Sequence, residues 1–169
     1  DMSYPYTAFE TPDNVLDEAG LNVKNLMLRY GDYLRANRDW LLRDVPRRAD
    51  LRVREAVYHF NLYMYLSRFL QHHDGRVWPE FPTGNGKVDL IIHYAGRRYA
   101  IEVKSFSTPY DYQKALGQAA RYGHKLGLET ITLALFVEAV DDANRAKYET
   151  VYVDAETGVT VVPVFVETG

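Results

Sequence analysis

Two acids and a lysine, Asp89, Glu102 and Lys104, stand in runs of alternating apolar residues that leave little room for charge. Asp89 lies in Lys87-Val88-Asp89-Leu90, and the other two lie in Ile101-Glu102-Val103-Lys104. A charge in so apolar a setting must be compensated, because an unpaired buried charge shifts its pKa or destabilises the fold. A divalent cation supplies that compensation. Mg²⁺ prefers octahedral oxygen coordination, keeps several waters and takes only one or two protein carboxylates. Asp89 and Glu102 meet that requirement. Lys104 beside them is suited to hold an attacking water, or to offset negative charge developing on a phosphodiester in its transition state.

These groups meet only if the chain reverses between them. Val88 to Tyr94 and Tyr99 to Val103 alternate in polarity and flank Ala95-Gly96-Arg97-Arg98, which predicts a β-hairpin with a short glycine-containing turn. Side chains alternate along a strand, so Glu102 and Lys104 leave one face while Ile101 and Val103 leave the other. Both acids and the lysine then converge at one end of the hairpin. The plainer alternative is a surface hairpin in which Asp89 caps a turn and Glu102 and Lys104 form an ordinary pair.

Taken together, Glu80, then Gly86, Lys87, Val88 and Asp89, then Glu102, Val103 and Lys104 resemble the core of the PD-(D/E)XK nuclease superfamily, the restriction-endonuclease-like fold. The resemblance implies a phosphodiesterase dependent on Mg²⁺ (or Mn²⁺), with Asp89 and Glu102 as metal ligands and Lys104 as the catalytic lysine. Val88 stands where the motif's name has proline. The resemblance further implies that a helix before the hairpin contributes an acid, and Glu55 is the position that matches, with Glu80 or Glu55 assisting the chemistry. Glu55 also suits the first turn of a helix, where the dipole favours acids. On the helix after the hairpin, Gln118 and Tyr122 match the family's Gln-x-x-x-Tyr pair, which implies that they contact the substrate backbone or orient the catalytic groups. Lys114 and Arg121 beside them would draw in phosphates. The plainer alternative there is a solvated helix face. The implied substrate is nucleic acid, with DNA expected. The alternative is an inactive nuclease fold that serves as a binding or regulatory module. The chain also resembles the nuclease-like domain at the C-terminal end of certain bacterial AAA-type ATPases. That would supply an upstream ATPase domain as a linked partner, and a homodimer would allow two strands to be cut.

Length and composition are those of one globular domain, with 47% hydrophobic and 25% charged residues over 169 positions. No cysteine is present, which excludes disulfides, thiolate metal sites and a cysteine nucleophile. No apolar run approaches the ~18 residues of a membrane span, and no signal-peptide pattern opens the chain. The expected location is the cytoplasm, without membrane attachment. A net charge of −3 argues against a protein whose affinity rests on many nonspecific phosphate contacts.

The expected fold is α/β: a restriction-endonuclease-like core with a mixed central sheet flanked by helices, over residues 50–169, after a helical lead-in or linker over 1–49. Asp13 or Asn14 would cap a helix over 15–28, or a pair of shorter helices interrupted near Gly20. Gly31 would break the pattern before a second helix over 32–43, ended by Val45-Pro46. The long helix over 50–71 is apolar nearly all round, with Val53, Val57, Phe60 and Met64 on one face and Leu62, Leu66 and Phe69 on the other, which predicts burial. His72-His73 reads as a turn rather than a zinc site. His93 reads as structural. Arg76 to Phe81 is a short strand, and the glycines of Pro82-Thr83-Gly84-Asn85-Gly86 do not make a Walker loop. Tyr110 to Leu126 is a helix with a small-residue stripe of Leu116, Ala119, Ala120 and Gly123, ended by Gly127. Thr130 to Val137 is a central strand. A short helix from Asp141 and a hairpin of 148–154 with 159–166 complete the chain.

Overall fold

The structure, a computed structural model, describes residues 14–17, 20–49, 53–84 and 86–169. It opens with two short strands, β1 (Leu16–Asp17) and β2 (Gly20–Leu21), paired antiparallel. A helix over 15–28 is therefore not formed. The reason is a long-range contact: the Leu21 N–H donates to the Tyr99 hydroxyl at 2.9 Å, and any side chain at Gly20 would run into that same hydroxyl. Helix α1 (Val23–Ala36) starts only at Asn22, whose side chain accepts the Asn25 N–H at 3.0 Å. Asn14 instead takes the Asn25 side chain on its carbonyl at 2.7 Å, and Asp13 lies outside the described residues. Gly31 does not break the helix. It is buried within α1, beside Val166, because the stripe of Met27, Tyr30 and Leu34 holds that face against the sheet. The second predicted helix shrinks to α2 (Arg38–Leu41), because Asn37 turns back to bond the Tyr33 carbonyl at 2.8 Å.

Helix α3 (Glu55–Gln71) starts at Glu55, while positions 50–52 of the predicted helix lie outside the described residues. Leu62, Leu66 and Phe69 are buried, each contributing about 1.5–3 kcal/mol. Phe60 and Met64 are 67% and 45% exposed, so the helix is buried on one face rather than all round.

A six-stranded sheet follows: β3 (Arg76–Pro82), β4 (Lys87–Tyr94) and β5 (Arg97–Ser105), then α4 (Pro109–Lys125), β6 (Thr130–Val137), α5 (Asp142–Tyr148), β7 (Tyr152–Val153) and β8 (Thr160–Glu167). The spatial order is β3-β4-β5-β6-β8-β7. The first three strands form an antiparallel meander, β5, β6 and β8 run parallel, and β7 closes antiparallel on β8. Tyr94 pairs with Arg97, so the hairpin turn is two residues, Ala95 and Gly96, rather than four. Both take positive φ, 52° and 74°, as the type I′ turn that matches strand twist demands. The last hairpin is likewise shorter than expected, since Tyr148 ends α5.

One sheet face packs on α1 and α3 through Leu90, Ile92, Ile101, Val103, Ala134 and Phe136. The other packs on α4 through Ile91, Ala100, Leu133, Leu135 and the predicted stripe of Leu116, Ala119, Ala120 and Gly123. Residues 131–136 of β6 are all buried, as a strand covered on both sides requires. The molecule is thus α/β with a mixed sheet between helical layers, and α1 of the lead-in is part of one layer. Among the described residues no helix is long and apolar enough to cross a membrane.

Candidate active site

The β4–β5 ladder runs as far as Leu90 and Ile101, so Asp89 and Glu102 are the first residues beyond its last rung on each strand. Ile101 and Val103 face α3, which leaves Glu102 and Lys104 on the α4 side with Ala100, as alternation predicts. Asp89 sits at an irregularity. Val88 and Ile91 share the α4-side cluster while Leu90 and Ile92 face the other way, so strict alternation slips between them. On β3 the rung opposite Asp89 is missing between Pro79–Leu90 and Phe81–Val88, and Glu80 there takes φ 51°. The slip turns the Asp89 carboxylate toward β5, where Oδ2 accepts the Val103 N–H at 2.7 Å.

Glu102 is 3% exposed. Burial pushes its carboxyl up to about 8, reinforced by the neighbouring Asp89 charge, while the Lys104 ammonium and the Asp89 N–H pull it back and Glu55 adds a further upward push. Lys104 Nζ lies 3.8 Å from Glu102 Oε1, an ion pair too long for a hydrogen bond. Glu102 Oε2 is buried with no hydrogen-bond partner. Such an orphaned acceptor is costly and needs a cause. A hard cation between the two acids removes both penalties, since it favours the ionised carboxylate and fills the vacant acceptor. Among the described residues no three His, Cys, Asp or Glu converge as a closed metal site. An all-oxygen pair of carboxylates fits Mg²⁺ or Mn²⁺, which retain water, rather than Zn²⁺.

Helix α3 fastens this end of the hairpin at two points one turn apart. Glu55 Oε2 accepts the Ser105 N–H at 2.9 Å, and His59 Nε2 lies 2.9 Å from the Asp89 carbonyl. A carbonyl only accepts, so the proton sits on Nε2. Glu55 thus holds β5 just past Lys104, and its charge reaches Glu102. Replacing Glu55 by Ala leaves the Ser105 amide without its acceptor and is expected to cost about 1–3 kcal/mol, read as a lowered midpoint in urea unfolding. His59 was not among the residues singled out for chemistry. Its signal was the four-residue spacing from Glu55, which puts both on one helix face.

The remaining predicted residues are spread more widely. Glu80 is exposed on β3. Gln118 Nε2 donates to Tyr122 Oη at 2.7 Å, and the Tyr122 ring lies against Gly86, where a Cβ would come within 2.7 Å of the ring. That pair supports the loop leading into β4 and makes no hydrogen bond to Asp89, Glu102 or Lys104. Lys114 and Arg121 are exposed on α4, Lys114 with its Nζ 5.8 Å from the Tyr110 ring centroid and Arg121 acting on Asp154. Neither is ion-paired to the acids of the site. His73 packs against Phe69 and His93 against Trp78, which agrees with structural roles. Compared with protein-family models, curated proteins and solved structures, the chain matches none of them.

Proposed function

We propose that the protein is a metal-dependent phosphodiesterase acting on nucleic acid, with DNA as the expected substrate. The observation that carries this reading is the buried Glu102 carboxylate, one oxygen of which has no partner, beside Asp89 and with Lys104 on its own strand face. Asp89 and Glu102 hold a Mg²⁺ or Mn²⁺ ion, which when bound supplies Lewis acidity at a phosphoryl oxygen. Lys104, 30% exposed along its side chain, reaches solvent and orients the attacking water or meets the charge that develops on the phosphate. Glu55 and His59 keep the strand ends from drifting, which matters because small displacements of reacting groups cost large factors in rate. The order of helix, three-stranded meander, helix and parallel strand supports a restriction-endonuclease-like core. The same resemblance supports a place beside a linked ATPase domain.

Incubation of a labelled oligonucleotide with Mn²⁺, Mg²⁺ or chelator tests the reading: cleavage is expected only with the ion. Binding is read independently by thermal unfolding. An ion at 100 times its Kd adds about 2.7 kcal/mol, and Asp89→Asn is expected to remove most of that shift.

A second reading has its own observation. Asp89 already accepts the Val103 amide, and Lys104 already faces Glu102, so the three charges partly satisfy each other. An inactive module that retains the nuclease-like core would look like this. It predicts no shift with Mn²⁺ and no cleavage.

A further inference from the structure

At the carboxyl ends of β5, β6 and β8, on the face carrying α3, lies a cavity of about 440 Å³. Open α/β sheets place ligands at this end of their strands. The cavity begins at Ser105, the residue next to Lys104, and continues past Phe106 to Arg38 and Arg47. Arg38 is exposed, and among the described residues no hydrogen bond or ion pair engages its guanidinium. Arg47 reaches the Leu42 carbonyl at 3.5 Å. Arg38, Arg47 and Tyr58 line the same cavity, and the Thr168 hydroxyl and then the two guanidiniums oppose the upward push of burial on the Tyr58 hydroxyl. Glu138 is the acid among the described lining residues. The Arg38 guanidinium, with Arg47 and an aromatic wall beside it, suits an anion that carries a flat apolar group. Guanidinium forks match phosphate oxygens in geometry as well as charge. The volume is at the small end of ligand cavities, which suits one nucleotide of a strand rather than a duplex.

We infer that this cavity takes the nucleotide neighbouring the scissile phosphodiester, with Arg38 and Arg47 holding its phosphate. The inference rests on the phosphodiesterase reading of Asp89, Glu102 and Lys104, and it makes the helical lead-in part of the substrate site. The geometry requires a single strand to cross the sheet edge from Lys104 over Ser105 and Phe106 toward α2.

The test uses Arg38→Gln, Arg47→Gln and the double variant, each checked for an unchanged unfolding midpoint. Binding of a single-stranded DNA oligonucleotide is read by fluorescence anisotropy in a Lys104→Ala background, so that no cleavage intervenes. Each variant is expected to raise Kd about tenfold, and the double variant to lower the slope of log K against log salt by about 0.7, the share of one phosphate on a single strand. In cleavage by protein with Lys104 intact, the loss is expected in KM rather than kcat, and Arg38→Lys is expected to recover most of it. The Arg38 guanidinium makes no hydrogen bond or ion pair among the described residues, and its α2 bond to Leu42 runs through the backbone carbonyl, so its variant answers the question even where Arg47→Gln unfolds. Wild-type affinity and slope in the Arg38 variant, or no binding of the oligonucleotide by the unmutated site, would overturn the inference. Failure of the phosphodiesterase reading shows elsewhere, as no metal-dependent cleavage by the unmutated protein.

Discussion

Lys104→Ala is expected to lower metal-dependent cleavage by about 10²- to 10³-fold, the loss seen when one preorganised donor at a developing oxyanion is removed. The fold should be untouched. Lys104 is partly exposed and its pairing with Glu102 at 3.8 Å is loose, so the pair contributes little to stability. Ile101 and Val103 on the opposite face of β5 continue to pack against α3. The measurement is the rate of oligonucleotide cleavage in Mn²⁺, beside a far-ultraviolet circular dichroism spectrum of the same sample. A fall in kcat with KM preserved assigns Lys104 to the transition state, whereas a rise in KM alone assigns it to ground-state binding. Undiminished cleavage by the purified variant rules the mechanism out. Lys104→Arg separates charge from geometry, because a guanidinium keeps the charge but not the compact ammonium that orders a water.

Glu102→Gln is expected to remove this group's contribution to the pH dependence of stability in metal-free protein. The folded-state carboxyl of Glu102 is pushed up to about 8 from an ordinary 4.5, chiefly by burial and then by the Asp89 charge. Between these values the folded protein binds the proton more tightly than the unfolded chain does. Stability from this group is therefore complete below pH 4.5 and falls as pH rises through 8. The loss is on the order of a few kcal/mol. Glutamine keeps the shape and carries no charge, so the variant in chelator should unfold at higher temperature than the parent at pH 9 and show a flatter profile across the window. For a chain of this size each kcal/mol moves the midpoint by about 2–4 °C. The difference between variant and parent removes the contribution of every group common to both.

On the proposed reading the same group sets the metal dependence. An ion bound between Asp89 and Glu102 favours the ionised carboxylate, so binding releases a proton below pH 8 and affinity is expected to rise with pH. Saturating Mn²⁺ should then flatten the parent's stability profile and leave the Gln variant unmoved. A parent whose midpoint in chelator is constant over this range would show that Glu102 is not held as an uncompensated buried carboxyl, and the cation reading would lose its physical basis.

Local periodicity determined much of this protein before any contact was known. Alternation placed Glu102 and Lys104 on one face of β5 and Asp89 on the neighbouring strand, because a period of two is a property of the extended chain itself. The small-residue stripe and Gly127 delimited α4, and the unbroken apolar run marked β6 as the covered strand. The sequence did not determine what those residues meet. A helix over 15–28 was locally reasonable and lost to a hydrogen bond from Leu21 to Tyr99, a partner far along the chain. The apolar face of Phe60 and Met64 looked like core, but the sheet had room for only one face of α3.

Tertiary structure alone decided the character of the site. Glu55 and His59 find the Ser105 amide and the Asp89 carbonyl only once α3 lies across the strands. Glu102 is an orphan because layers packed on both faces of the sheet exclude water from it. Arg38 and Arg47 come to the same sheet edge from a segment with no motif of its own. The spacing of charges along a strand is local geometry and can be read from sequence. Whether those charges lose their water depends on what folds over them, and that is settled by contacts between residues remote in the chain.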